Sequence, residues 1–113
     1  MTIHIVRRLT QSAVLVSLIT IGSSFSQAEG GGQTLFKAKC AACHGVDGKG
    51  EVPAGKKLGA RDLSSTEIQS QSDAQLTDFI NKGKGKMPAY GTKLSKDQTD
   101  DLVAYIRELG KKK

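Results

Sequence analysis

The chain contains no tryptophan, and phenylalanine and tyrosine together make up only 4% of it. Two cysteines, two prolines and two methionines are all that its 113 residues hold of those types. So few aromatics exclude a large hydrophobic core built from the chain's own side chains. Two cysteines exclude a disulfide-dense scaffold. No apolar run approaches the roughly 20 residues needed to cross a bilayer, so stable membrane insertion is not expected. Sustained strand alternation is also missing, which leaves an all-α fold as the expected class.

The N-terminus has the pattern of a secretory signal. Arg7 and Arg8 form a basic start, Ala13–Ile21 is a short apolar stretch, and Ser26-Gln27-Ala28 presents small residues where a signal peptidase cuts. Residues 1–28 are therefore expected to be removed, leaving a single domain over residues 29–113 in a bacterial periplasm. After residue 28 stand 15 basic and 11 acidic residues, a net charge of +4. That balance suits encounter with acidic surfaces. Nucleic acid is a poor partner, because the lysines are scattered and the compartment is wrong. Only Phe36, Phe79, Tyr90 and Tyr105 supply aromatic bulk to the mature part. A large flat cofactor at the centre would complete so thin a core.

Helical segments follow from caps and periodicity. Glu29–Gly32 reads as a glycine-rich leader, and good helix formers from Gln33 predict a helix over about 33–42. The stretch 45–63 is rich in glycine, has one proline and shows no apolar period, so an irregular loop is expected. Ser64-Ser65-Thr66-Glu67 has the spacing of a capping box and predicts a short turn near 66–70. Ser72 with Gln75 opens a helix to about Lys82, and Ser95 with Gln98 opens the last one, which Gly110 should end. Leu102, Tyr105, Ile106 and Leu109 form the buried stripe of that last helix.

Cys40-Ala41-Ala42-Cys43-His44 carries the chemistry. Two thiols one helical turn apart, followed by histidine, form the pattern of a c-type haem attachment site, where the thiols add to the vinyl groups and the histidine reaches iron. Three other readings compete. Structural zinc needs about four protein ligands, and the mature chain offers two cysteines and one histidine. A thioredoxin-like pair needs a strand–helix setting that is missing here. A plain disulfide leaves His44 without a task. After residue 28, His44 is the sole histidine and Met87 the sole methionine. If His44 takes one axial position, Met87 is the best candidate for the other, its thioether favouring ferrous iron. The thirteen lysines offer a fallback ligand, none of which stands out. Met87 sits in Lys82-Gly83-Lys84-Gly85-Lys86-Met87-Pro88, where glycines permit close approach and Pro88 stiffens the chain beside the sulfur. Gly50–Lys57 matches part of a phosphate loop, but Lys57 stands where that motif needs Ser or Thr.

These residues resemble the class I c-type cytochromes, the small soluble bacterial monohaem carriers. The likeness runs over residues 32–109. It is carried by Gly32-x3-Phe36-x3-Cys40-x2-Cys43-His44, the Met87-Pro88 loop and Leu102-Val103-Ala104-Tyr105-Ile106. It implies a small cytochrome c fold of three to four helices around one covalently bound haem c, with Gly32, Phe36 and Tyr105 at the crossing of the first and last helices. It also implies a backbone carbonyl that orients the ligand histidine, for which Pro53 is the candidate. Arg61 resembles the basic residue that meets a haem propionate; a solvated arginine paired with Asp62 is the alternative. The compact stretch between His44 and Met87 implies a haem edge open to solvent.

The resemblance implies a monomeric periplasmic electron carrier, not an enzyme, passing single electrons between redox proteins. Lys82, Lys84, Lys86, Lys93 and Lys96 lie in a fifteen-residue window free of acidic residues and are expected to steer docking onto acidic partners. Two rivals remain: a haem subunit tethered to or held in a dehydrogenase or oxidase complex, and a gas-binding or peroxidase-like protein with an open iron position.

Overall fold

Serine hydroxyls decide where three helices begin in the computed structural model, which describes residues 28–112. The helical segments are α1 (Ala28–Lys39), α2 (Ala41–His44), α3 (Pro53–Leu58), α4 (Thr66–Gln69), α5 (Asp73–Lys82) and α6 (Lys96–Lys111). Ser72 and Ser95 cap α5 and α6 in complete capping boxes: each hydroxyl accepts the N3 backbone N–H, and Gln75 or Gln98 accepts the serine's own N–H. The leader expected over residues 1–28 lies outside the described residues except for Ala28. Among the described residues no strand forms, and no helix is long and apolar enough to cross a membrane. The all-α expectation holds.

Four local readings need correction. The expected glycine-rich leader is helical, because α1 already starts at Ala28. The helix predicted over 33–42 stops at Lys39, turns at Cys40 and resumes as α2. The supposed loop 45–63 contains α3, started by Pro53 in its first turn and closed by Gly59 in the left-handed conformation, φ 72°. Its period was invisible because its sole buried residue is Gly55 rather than an apolar side chain. At α4 the cap is Ser65, whose hydroxyl accepts from Ile68; Ser64 is buried and its hydroxyl donates to Asp62 Oδ1 at 2.6 Å.

The core lies between α1 and α6. Gly32 lets the two backbones approach: a Cβ there would sit 2.2 Å from the Asp101 carbonyl oxygen. The Phe36 and Tyr105 rings pack at 5.1 Å between centroids with a 55° tilt, a favoured aromatic geometry. Phe36 and Leu102 are each 1% exposed, and Ile68, Leu76, Ile80, Val103, Tyr105, Ile106 and Leu109 complete the buried cluster. Helix α6 runs past Gly110 to Lys111. That glycine makes room for Gln69, whose amide donates to the Leu63 and Ile106 carbonyls at 2.7 and 2.9 Å. Arg107 fastens α6 to the α4–α5 connection by donating to the Gln69 and Gln71 carbonyls and to Asp73.

Candidate functional site

The turn at Cys40 presents both cysteines on α2 and the break before it. Their thiols are not joined to one another. Burial, and then the neighbouring Cys43, push the Cys40 thiol up to about 11. A reactive redox cysteine needs the opposite shift, so the pair is poorly suited to dithiol exchange. Among the described residues no three His, Cys, Asp or Glu side chains gather, which deprives a zinc site of donors.

His44 is held by its Nδ1, which lies 3.1 Å from the Arg61 carbonyl oxygen. A carbonyl can only accept, so Nδ1 is the donor, and in the neutral imidazole the lone pair then lies on Nε2. That is the tautomer a ligand to iron requires. The family resemblance implies Pro53 as the source of the orienting carbonyl, but here Arg61 supplies it. Pro53 instead opens α3, and the chain must complete that helix and turn at Gly59 before a carbonyl comes under the ring. The return path is tight. The Gly50 N–H donates to the His44 carbonyl at 2.7 Å, and a Cβ on Gly50 would lie 2.5 Å from the Ala60 carbonyl oxygen. A Cβ on Gly55 would lie 2.1 Å from the Cys43 carbonyl oxygen, so α3 sits directly against the attachment segment. The Arg61 guanidinium, for its part, pairs with the Glu67 carboxylate at the surface.

Met87 arrives from the other side of the sequence. Lys84 and Met87 exchange backbone hydrogen bonds of 3.2 and 3.0 Å, closing a tight turn. Gly83 precedes it with φ +68°, and a Cβ there would be 2.5 Å from the Met87 carbonyl oxygen. Beyond Pro88, the Tyr90 and Gly91 N–H groups donate to the Ile80 and Asn81 carbonyls at 2.9 and 3.0 Å. These bonds use the orphan carbonyls at the end of α5 to fold the loop back. Met87 is half-buried and, like Cys40, packs against the core. The Tyr90 hydroxyl donates to the Lys39 carbonyl at 3.2 Å, tying the methionine loop to the segment that bears the cysteines. Burial, then the thiols of Cys40 and Cys43, raise that hydroxyl's pKa. The donor set therefore fits a covalently held haem: two thiols, one imidazole with its Nε2 free, and one half-buried thioether.

Gly55, Tyr90 and the Arg61 carbonyl carry no signal in the sequence. Backbone carbonyls have no residue signature, and Tyr90 read only as bulk. The basic window is also less uniform than its composition. Lys82 pairs with Asp78 at 3.3 Å and Lys96 with Asp100 at 2.6 Å. Lys84 lies 5.2 Å from the Phe79 ring centroid and Lys93 5.7 Å from that of Tyr90. Among the described residues Lys86 has neither kind of partner.

Residues 27–106 match the family model described as cytochrome c oxidase, cbb3-type, subunit III. A cytochrome c6 from Gloeothece citriformis is 36% identical over 107 residues, covering 89% of this chain and 94% of that protein. The cbb3-type cytochrome c oxidase subunit CcoP of Azospirillum brasilense is 32% identical over 81 residues, which are 70% of this chain and 28% of CcoP. Among solved structures, the KustC0563 c-type cytochrome superposes with a TM-score of 0.63 at 32% identity, covering 69% of this chain and 95% of that one.

Proposed function

This chain belongs to the class I c-type cytochromes, and from that premise we propose that it is an exported, monomeric carrier of single electrons between redox proteins. The observation that carries this reading is the His44 ring, fixed through Nδ1 on the Arg61 carbonyl with Nε2 left to bind. A haem c held here supplies a reversible one-electron iron couple. Cys40 and Cys43 would hold the macrocycle through thioether bonds, and His44 Nε2 and the Met87 sulfur would bind its iron. With the His44 imidazole and the Met87 sulfur both committed to iron, the site would pass electrons rather than bind a substrate. Arg61 orients the histidine with its backbone carbonyl, and its guanidinium would have to exchange Glu67 for a propionate to meet the haem. Residues 1–28 direct export to the periplasm and are removed.

Lys86 is the member of the basic window best placed to meet an acidic partner, because its charge is not already matched within the fold. Likeness to a cytochrome c6 over nearly its whole length supports the freely diffusing carrier. A second role, a haem subunit resident in an oxidase, is favoured by the likeness to CcoP, and gel filtration of the native protein separates the two. The reading is tested by the ferric spectrum. Wild type should show the weak far-red sulfur-to-iron band, and Met87→Ala should lose it and lower the potential. A band that survives Met87→Ala would remove the sulfur ligand.

A further inference from the structure

The break between α1 and α2 leaves the Lys39 carbonyl without its helical donor. In an unbroken helix the Lys39 carbonyl would accept the Cys43 N–H. Cys43 donates instead to the Cys40 carbonyl at 3.2 Å, and His44 donates to the same oxygen at 2.9 Å. The Tyr90 hydroxyl takes the vacated place from 51 residues away. Every other polar group of Tyr90 is engaged too. Its N–H donates to the Ile80 carbonyl, and its carbonyl accepts from Lys93 and Leu94 at 2.9 and 3.0 Å. Its ring packs on the core and carries the Lys93 ammonium on its face. Tyr90 is thus anchored at four points, three residues after Met87, and one anchor reaches the residue before Cys40.

We propose that Tyr90 is a positioning residue whose hydroxyl clasps the Met87 loop to the haem-attachment segment and so sets how firmly the methionine sulfur is retained on iron. The proposal rests on the axial role assigned above to Met87. For an external base to take the sixth position, the sulfur must leave and the loop must shift. The Tyr90–Lys39 bond exists only in the closed arrangement, so losing it moves the open–closed equilibrium, and the apparent affinity for the base follows by the same factor. A net hydrogen bond of ordinary strength corresponds to about a 2- to 10-fold change.

The experiment titrates imidazole into the ferric holoprotein for wild type, Tyr90→Phe, Met87→Ala and the double variant. Phenylalanine keeps the ring and removes only the hydroxyl. Tyr90→Phe should retain the far-red band and bind imidazole about 2- to 10-fold more tightly than wild type. In the Met87→Ala background, where no sulfur is displaced, the same substitution should leave imidazole affinity unchanged. Equal affinities for wild type and Tyr90→Phe, with the band present in both, overturn the clasp and leave Met87 as ligand. An equal gain in both backgrounds overturns it as well, marking a general loosening. Absence of the band from wild type removes Met87 as ligand and the clasp with it.

Discussion

Replacing Gly32 with alanine asks whether α1 and α6 touch backbone to backbone. The new Cβ would lie 2.2 Å from the Asp101 carbonyl oxygen, 2.9 Å from its carbon and 3.1 Å from Tyr105 Cβ. The first two atoms are backbone inside the 16-residue α6, so they cannot rotate away. The helices must part by about 1 Å, which forfeits roughly a quarter to a half of the attraction between atoms facing across the seam. Overpacking of this kind costs about 1–3 kcal/mol. Disturbing the Phe36–Tyr105 pair adds up to about 1 kcal/mol. Alanine returns about 1 kcal/mol through its higher helix propensity. Taking the middle of each range, the net loss is about 1.5 kcal/mol, which for a domain of this size lowers Tm by roughly 6–12 °C. Thermal unfolding of the holoprotein, followed by far-ultraviolet circular dichroism, reads it out. Gly31→Ala is the control. Its Cβ would meet only the Asp101 Oδ2 at 3.2 Å, a carboxylate able to swing aside, so stability should hold or rise by up to about 1 kcal/mol. A Gly32→Ala protein as stable as wild type would refute the close crossing.

Arg107→Ala should destabilise by about 1.5–3 kcal/mol, because it strips the Gln69 and Gln71 carbonyls of a charged donor whose side chain is only 26% exposed. Asp73→Ala, removing the partner that is 74% exposed, should cost less than about 1 kcal/mol; urea unfolding compares the two. Electron transfer to an acidic partner should slow as salt rises, and Lys86→Gln should slow it more than Lys82→Gln, because Lys82 is already paired with Asp78. Stopped-flow kinetics across ionic strength decide, and salt-insensitive rates would exclude the basic window from docking.

Much of this architecture is legible in the sequence because it rests on local rules. The serine–glutamine boxes of α5 and α6 work within one turn, and the stripe from Leu102 to Leu109 needs only the helical period. Cys40, Cys43 and His44 are adjacent, so their chemistry is written in one string. What stays hidden depends on return paths. Helix α3 packs through Gly55, whose contribution is a missing side chain, and no apolar period announces it. The carbonyl under His44 belongs to Arg61 because the chain must first complete α3 and reverse at Gly59. Gly110 looks like a helix stop but serves as a seat for Gln69, a contact between segments far apart in sequence. The Tyr90–Lys39 bond joins a side chain to a backbone atom, and neither residue type advertises it.

Whether the macrocycle is bonded to this polypeptide is settled most directly by extracting the exported, coloured protein with acidified acetone. In wild type the pigment should stay with the protein, and in the Cys40→Ser/Cys43→Ser double variant any pigment taken up should pass into the organic phase. Wild-type pigment that washes out, or wild-type protein that is colourless when made with a working haem-attachment system, would contradict covalent attachment through these two thiols.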